Sequence, residues 1–179
     1  MDDKGQMMVI ESVIFTITIL VALIFLYQLS PTSTVSNVYK NDLKIKGDDA
    51  LRSLYNDQVK ADTPKNFPKN NLIFYLIADN YESLVLYLKS KFPSNTMFNI
   101  YISNGTKKAF WCSSTQNNET PLPVKEPVTI SHYILSIHPY FLDVDNFPGI
   151  IDNNGCELTK KFPGYTGSTY DVILEMFYT

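Results

Sequence analysis

Ser12-Val13-Ile14-Phe15-Thr16-Ile17-Thr18-Ile19-Leu20-Val21-Ala22-Leu23-Ile24-Phe25-Leu26-Tyr27-Gln28-Leu29 decides how this chain is built: 18 residues without a charge. At ~1.5 Å per residue a helix of that length reaches roughly 27 Å, about one hydrocarbon thickness. Tyr27 and Gln28 suit an interface at one end. Pro31 then biases Ser30 away from helical geometry and stops the helix. A buried core helix is the alternative for an apolar run, but the length and purity of this one predict a transmembrane helix over residues 7–30. A cleaved secretory signal would carry an apolar stretch of about 7–15 residues and a small-x-small site. Leu29-Ser30-Pro31-Thr32-Ser33 is a poor site, so the helix is expected to be kept.

The remaining residues, about 150 of the 179, are enough for one domain with its own core. The net charge is −3, and the densest basic runs are the pairs Lys107-Lys108 and Lys160-Lys161, so no nucleic-acid footprint is present. Two N-glycosylation sequons, Asn104-Gly105-Thr106 and Asn118-Glu119-Thr120, and two cysteines, Cys112 and Cys156, lie in this part. All of them suit a domain outside the cell, with Lys4 holding the short head inside. Cys112 and Cys156 are either a disulfide, worth about 4 kcal/mol of loop closure, or two free buried thiols.

Glu11 interrupts the apolar character near its start. A carboxylate at mid-bilayer costs ~2.5–3.5 kcal/mol, and less at a helix end, where Glu11 can sit among headgroups. The other reading gives it a partner in an assembled state.

Lys4-Gly5-Gln6, followed by Met7 and an apolar run with Glu11 near its start, resembles the class III signal peptide of archaeal type IV pilin-like proteins. The stretches Asp48–Leu54 and Pro127–His132 give the same impression of an archaeal pilin-like surface protein. In that family a prepilin-type peptidase cuts on the cytoplasmic side, and the apolar helix stays on the mature chain. The helix anchors the subunit and then packs with sister helices, the glutamate pairing with a neighbour's new amino group. A buried carboxylate becomes tolerable once an ammonium meets it. Cutting after Gly5 makes Glu11 the sixth residue, whereas cutting after Gln6 makes it the fifth, the family's usual place; both sites stay open. The resemblance implies a leader-like head over 1–6, an assembly helix over 7–30, a connector over 31–36 and an extracellular domain over 37–179. Its partners would be membrane lipid, the peptidase and other pilin-like subunits.

Within the domain, Leu43-Lys44-Ile45-Lys46 alternates and predicts a short strand ending at Gly47. Asp48 then predicts an N-cap, with Ala50, Leu51, Leu54 and Tyr55 on one helix face. Residues 56–71, with Pro64 and Pro68, read as a loop. Leu72–Ile77 is apolar and reads as helix or strand. Asn80 predicts a cap for a helix with Tyr81, Leu84, Val85 and Leu88 at helical spacing, ended by Phe92-Pro93.

From Met97 the period changes to two: Phe98, Ile100 and Ile102 share one face, Asn99 and Tyr101 the other. Asn104-Gly105 predicts a hairpin tip, and Ala109–Cys112 the return strand. Val128–Ile137 and Tyr170–Tyr178 predict two more strands, the second with Val172, Leu174 and Met176 toward the core and Asp171 and Glu175 away from it. Residues 143–169 read as mostly loop. The expected class is α+β: a transmembrane helix, short helices, then an antiparallel sheet, a pilin-like plan.

Chemistry-bearing patterns are sparse. His132 and His138 stand six apart, roughly 20 Å along a strand, too far for one metal. Asp143, Asp145, Asp152 and Glu157 do not follow the EF-hand pattern and read as solvated loop acids. No Gly-x-Ser-x-Gly and no phosphate-cradling glycine loop occurs. The expectation is therefore no enzyme, no cofactor and no metal. The function expected is that of a structural or minor subunit of a type IV pilus-like assembly. The alternative is a non-polymerising, membrane-anchored extracellular binding domain.

Overall fold

The computed structural model describes residues 3–28, 32–58, 67–116, 119–126, 128–147, 150–151 and 155–179, without the side chains of 3–7, 10, 26–28, 32–37 and 144. Two compact units divide it, Met1–Val38 and Tyr39–Thr179. The first is dominated by helix α1, Asp3–Gln28. Among the residues described with their side chains, no helix is long and apolar enough to cross a membrane.

The second unit is α+β with one four-stranded antiparallel sheet, order β2-β1-β4-β3, built from β1 (Thr96–Ser103), β2 (Lys108–Ser113), β3 (Thr129–Ser136) and β4 (Thr169–Tyr178). The period-two reading holds on the central strands. Phe98, Ile100 and Ile102, and Val172, Leu174 and Met176, are buried together. Asp171, Glu175 and Tyr101 are only partly buried, on the opposite face. Between Ile100 and Tyr101 the β1–β2 register shifts, so that Ile100 faces Cys112 while Tyr101 faces Phe110. A bulge of this kind lets Trp111 and Cys112, successive residues, both be buried.

Helices cover the apolar face. The Asn80 side chain accepts from Ser83 N and starts α4, Tyr81–Lys91, as its sequence pattern implies; Leu84, Val85 and Leu88 are buried and Lys89 and Lys91 lie in the last turn. The ambiguous apolar run is helix α3, Asn71–Ile77, capped by Asn70. The expected loop over 143–169 includes a further short helix, α5, Glu157–Lys161. Phe67 stands edge-on to Phe74, Phe141 and Phe147, and Phe141 and Phe147 are tilted at 31°, an aromatic group that joins the core through Phe67 and Phe147.

The largest departure from expectation is α2, one continuous helix Thr32–Asn56. It replaces the connector over 31–36 (Pro31 itself lies outside the described residues), the short strand Leu43–Lys46 and the N-cap at Asp48. Asp48 lies mid-helix, 3.5 Å from Lys44 one turn earlier. Leu43, Gly47, Ala50, Leu51 and Leu54 make one buried stripe at helical spacing. Tyr55, expected on that face, is exposed at its edge and packs on Tyr133 with ring centroids 5.1 Å apart.

Candidate functional site

Two places carry the residues singled out by sequence. The first is α1. Met8, Val9 and the large apolar side chains from Val13 to Phe25 are 46–72 % exposed, on every side of the helix. Successive residues are about 100° apart around a helix, so among these described residues no polar face is set aside for water. The hydroxyls within the run satisfy themselves: Ser12 Oγ donates to Met8 O at 2.9 Å, Thr16 Oγ1 to Ser12 O at 2.8 Å and Thr18 Oγ1 to Ile14 O at 2.8 Å. Each is a bond to the carbonyl one turn back, which hides polar atoms from an apolar surrounding. Glu11 is exposed on this helix. Lys4, Gly5, Gln6 and Met7 fall in its first turns by backbone.

The second place is the sheet unit. Asn104 sits at the tip of the β1–β2 hairpin, as Asn-Gly predicts, with Gly105 at φ +87°. Asn118 lies outside the described residues. The disulfide considered for Cys112 and Cys156 is not formed: both are buried free thiols. Strand pairing fixes Cys112 opposite Ile100, whereas Cys156 is the N-cap residue of α5, so each is placed by its own element. Burial pushes the Cys112 thiol up to about 12, helped by the Asp79 carboxylate and opposed by Lys161. Burial also raises Cys156 to about 11, against hydrogen bonds from the Leu158 and Thr159 backbone. Neither thiol is a ready thiolate at neutral pH.

Asp79 is a residue the sequence did not flag. It adopts φ +50° in the turn between α3 and α4. Burial, then the nearby Glu157, pushes its carboxyl up, while Lys161 and Lys160 pull it down. An open cavity of about 440 Å³ lies beside it, lined by Phe74, Ala78, Asp79, Asn80, Tyr81, Glu82 and Ile150. No protein-family model, curated protein or solved structure matches this chain.

The histidines are occupied locally. His132 Nδ1 lies 2.9 Å from Asp171 Oδ2 across the β3–β4 pair, and His138 Nδ1 accepts from Tyr140 N. Asp143 accepts from Asp145 N and from Asn146 Nδ2 within a 3₁₀ turn. Glu157 pairs with Lys160 at 2.8 Å, and Asp152 lies outside the described residues. Among the described residues no three His, Cys, Asp or Glu side chains are grouped to hold a metal.

Asn99 is the other residue whose role was hidden. Its side chain is wholly buried on the face away from the helices. There it accepts from Leu122 N at 2.8 Å and donates to Leu122 O at 3.0 Å and Glu175 Oε2 at 3.3 Å. One amide thus does for Leu122 what a neighbouring strand would do, and holds the segment 119–126 against the sheet.

Proposed function

We propose that this chain is a membrane-anchored, pilin-like surface protein, a structural or minor subunit of a type IV pilus-like assembly, with the α+β unit outside the cell. The observation that carries the reading is α1, a helix apolar on all sides with its hydroxyls bonded inward. Such a surface belongs against lipid or other apolar helices, not in water. The membrane span itself rests on the sequence from Ser12 to Leu29, which extends beyond the side chains described. Lys4-Gly5-Gln6 supplies a peptidase signal, and Glu11 a carboxylate for a neighbour's amino group. A second reading, an anchored binding domain that never polymerises, is favoured by the one-residue offset of Glu11 from the family's usual position if the cut falls after Gly5.

The test is the mass of the N-terminal peptide of the protein taken from native membranes. A start at Gln6 or Met7 is the expected result. A start at Met1 or Asp2 removes pilin-type processing and leaves the anchored binding domain.

A further inference from the structure

We infer that Asn104 is an N-glycan acceptor, its side-chain nitrogen taking a sugar from a lipid-phosphate-linked oligosaccharide at the tip of the β1–β2 hairpin. Asn104 Oδ1 accepts from Lys107 N at 2.8 Å, Thr106 N at 3.2 Å and Thr106 Oγ1 at 3.0 Å. Two backbone N–H donors face that atom, so it is the oxygen and not the nitrogen of the amide. Nδ2 makes no hydrogen bond among the described residues. The backbone closes the same turn through Asn104 N to Lys107 O at 3.2 Å, and Ser103 Oγ accepts from Gly105 N at 3.1 Å.

The bonds that hold the tip use Asn104 Oδ1, Ser103 Oγ, Lys107 Nζ or the backbone, and a glycan on Nδ2 breaks none of them. Asn104 itself is half-buried, and the tip that follows it is open. Gly105, Thr106 and Lys107 are exposed, and a Cβ placed on Gly105 would meet no atom within 4 Å. The Thr106 hydroxyl, the sequon's third residue, lies against the same amide. In the transfer, Asn104 Nδ2 bonds to the anomeric carbon and that carbon's bond to the lipid phosphate oxygen breaks. The lipid phosphate leaves, and the Nδ2 proton passes to a base of the transferase; no oxidation occurs. The inference rests on the outward placement proposed above, since glycan transfer of this kind marks exported chains.

The experiment is peptide-mass mapping of the full chain from native membranes, beside protease treatment of intact cells. The expected result is a sugar mass on the Asn104 peptide, wholly lost in Asn104→Gln and Thr106→Ala and kept in Thr106→Ser. Thr106→Ala retains both backbone bonds to Oδ1, so it serves if Asn104→Gln fails to fold. An unmodified Asn104 in a chain whose sheet unit is cut from outside overturns the acceptor site and leaves the exported reading standing. An unmodified Asn104 in a chain not cut from outside overturns both.

Discussion

Gly47, in the middle of α2, rests directly on the Met176 side chain of β4. A Cβ added there would overlap the end of Met176 and the Ser131 hydroxyl. Glycine inside a helix ordinarily costs up to ~1 kcal/mol relative to alanine, so Gly47→Ala would stabilise an open position. Here the clash decides the sign. Met176 and Ser131 are wholly buried, and Ser131 Oγ donates to Lys44 O at 3.2 Å, so neither can step aside freely. Overpacking costs roughly 1–3 kcal/mol. Gly47→Ala is expected to lower the unfolding midpoint in denaturant, and Gly47→Val to lower it further. An unchanged or raised midpoint for the alanine variant would mean that the helix does not approach the sheet this closely.

The same glycine explains what sequence reading missed. Leu43-Lys44-Ile45-Lys46 alternates, but only Leu43 is buried, while Ile45 is 61 % exposed. The real periodicity is helical, Leu43 to Gly47 to Ala50 and Leu51 to Leu54. It is interrupted in hydropathy at Gly47, where a side chain would run into Met176 and Ser131. The strands were legible because alternate residues face opposite ways whatever lies beyond them. The α4 start was legible because Asn80 and Ser83 are local partners. Asn99 and Asp79 were not: the partners of Asn99 are 23 and 76 residues away, and the charges that act on Asp79, those of Glu157, Lys160 and Lys161, lie on α5.

Asn99→Ala should release the segment it holds. The change leaves Leu122 N and O without their partner, and an unpaired polar group in a buried setting costs roughly 1–3 kcal/mol. The loss is local, so the clearest readout is trypsin cleavage at the exposed Lys125. Cleavage there is expected to speed up several-fold at a protease level that leaves the sheet intact. An unaltered rate would show that other contacts hold the segment.

The buried thiols predict an alkaline weakness. Cys112 stands at about 12, Cys156 at about 11 and the Tyr170 phenol at about 12, each raised first by burial. The unfolded chain releases these protons earlier, near 9 for cysteine and 10 for tyrosine. Stability from the neutral forms is therefore full below about pH 9 and is lost as pH rises through 11 to 12. Denaturant midpoints should fall between pH 8.5 and 10.5, and less steeply in the double variant Cys112→Ala, Cys156→Ala. A thiol reagent at pH 8 should find almost nothing in the folded chain and two thiols after unfolding. None after unfolding would indicate a disulfide.

Glu11 separates the two functional readings. In an assembly, its carboxylate gains an ammonium partner that the monomer lacks, so Glu11→Gln should leave the sheet unit folded and the chain in the membrane while incorporation into filaments falls at least tenfold. A simple anchor needs no such partner. Its carboxylate is only a cost, ~2.5–3.5 kcal/mol at mid-bilayer and less at the helix end, so the glutamine variant should insert as well as the original or better. Comparing the carbonate-resistant membrane fraction with the sheared-filament fraction reads both quantities from one culture. Loss from filaments with normal membrane retention supports assembly through α1. If filaments of the original chain form and Glu11→Gln enters them equally, the carboxylate has no assembly role and Glu11 belongs among the headgroups.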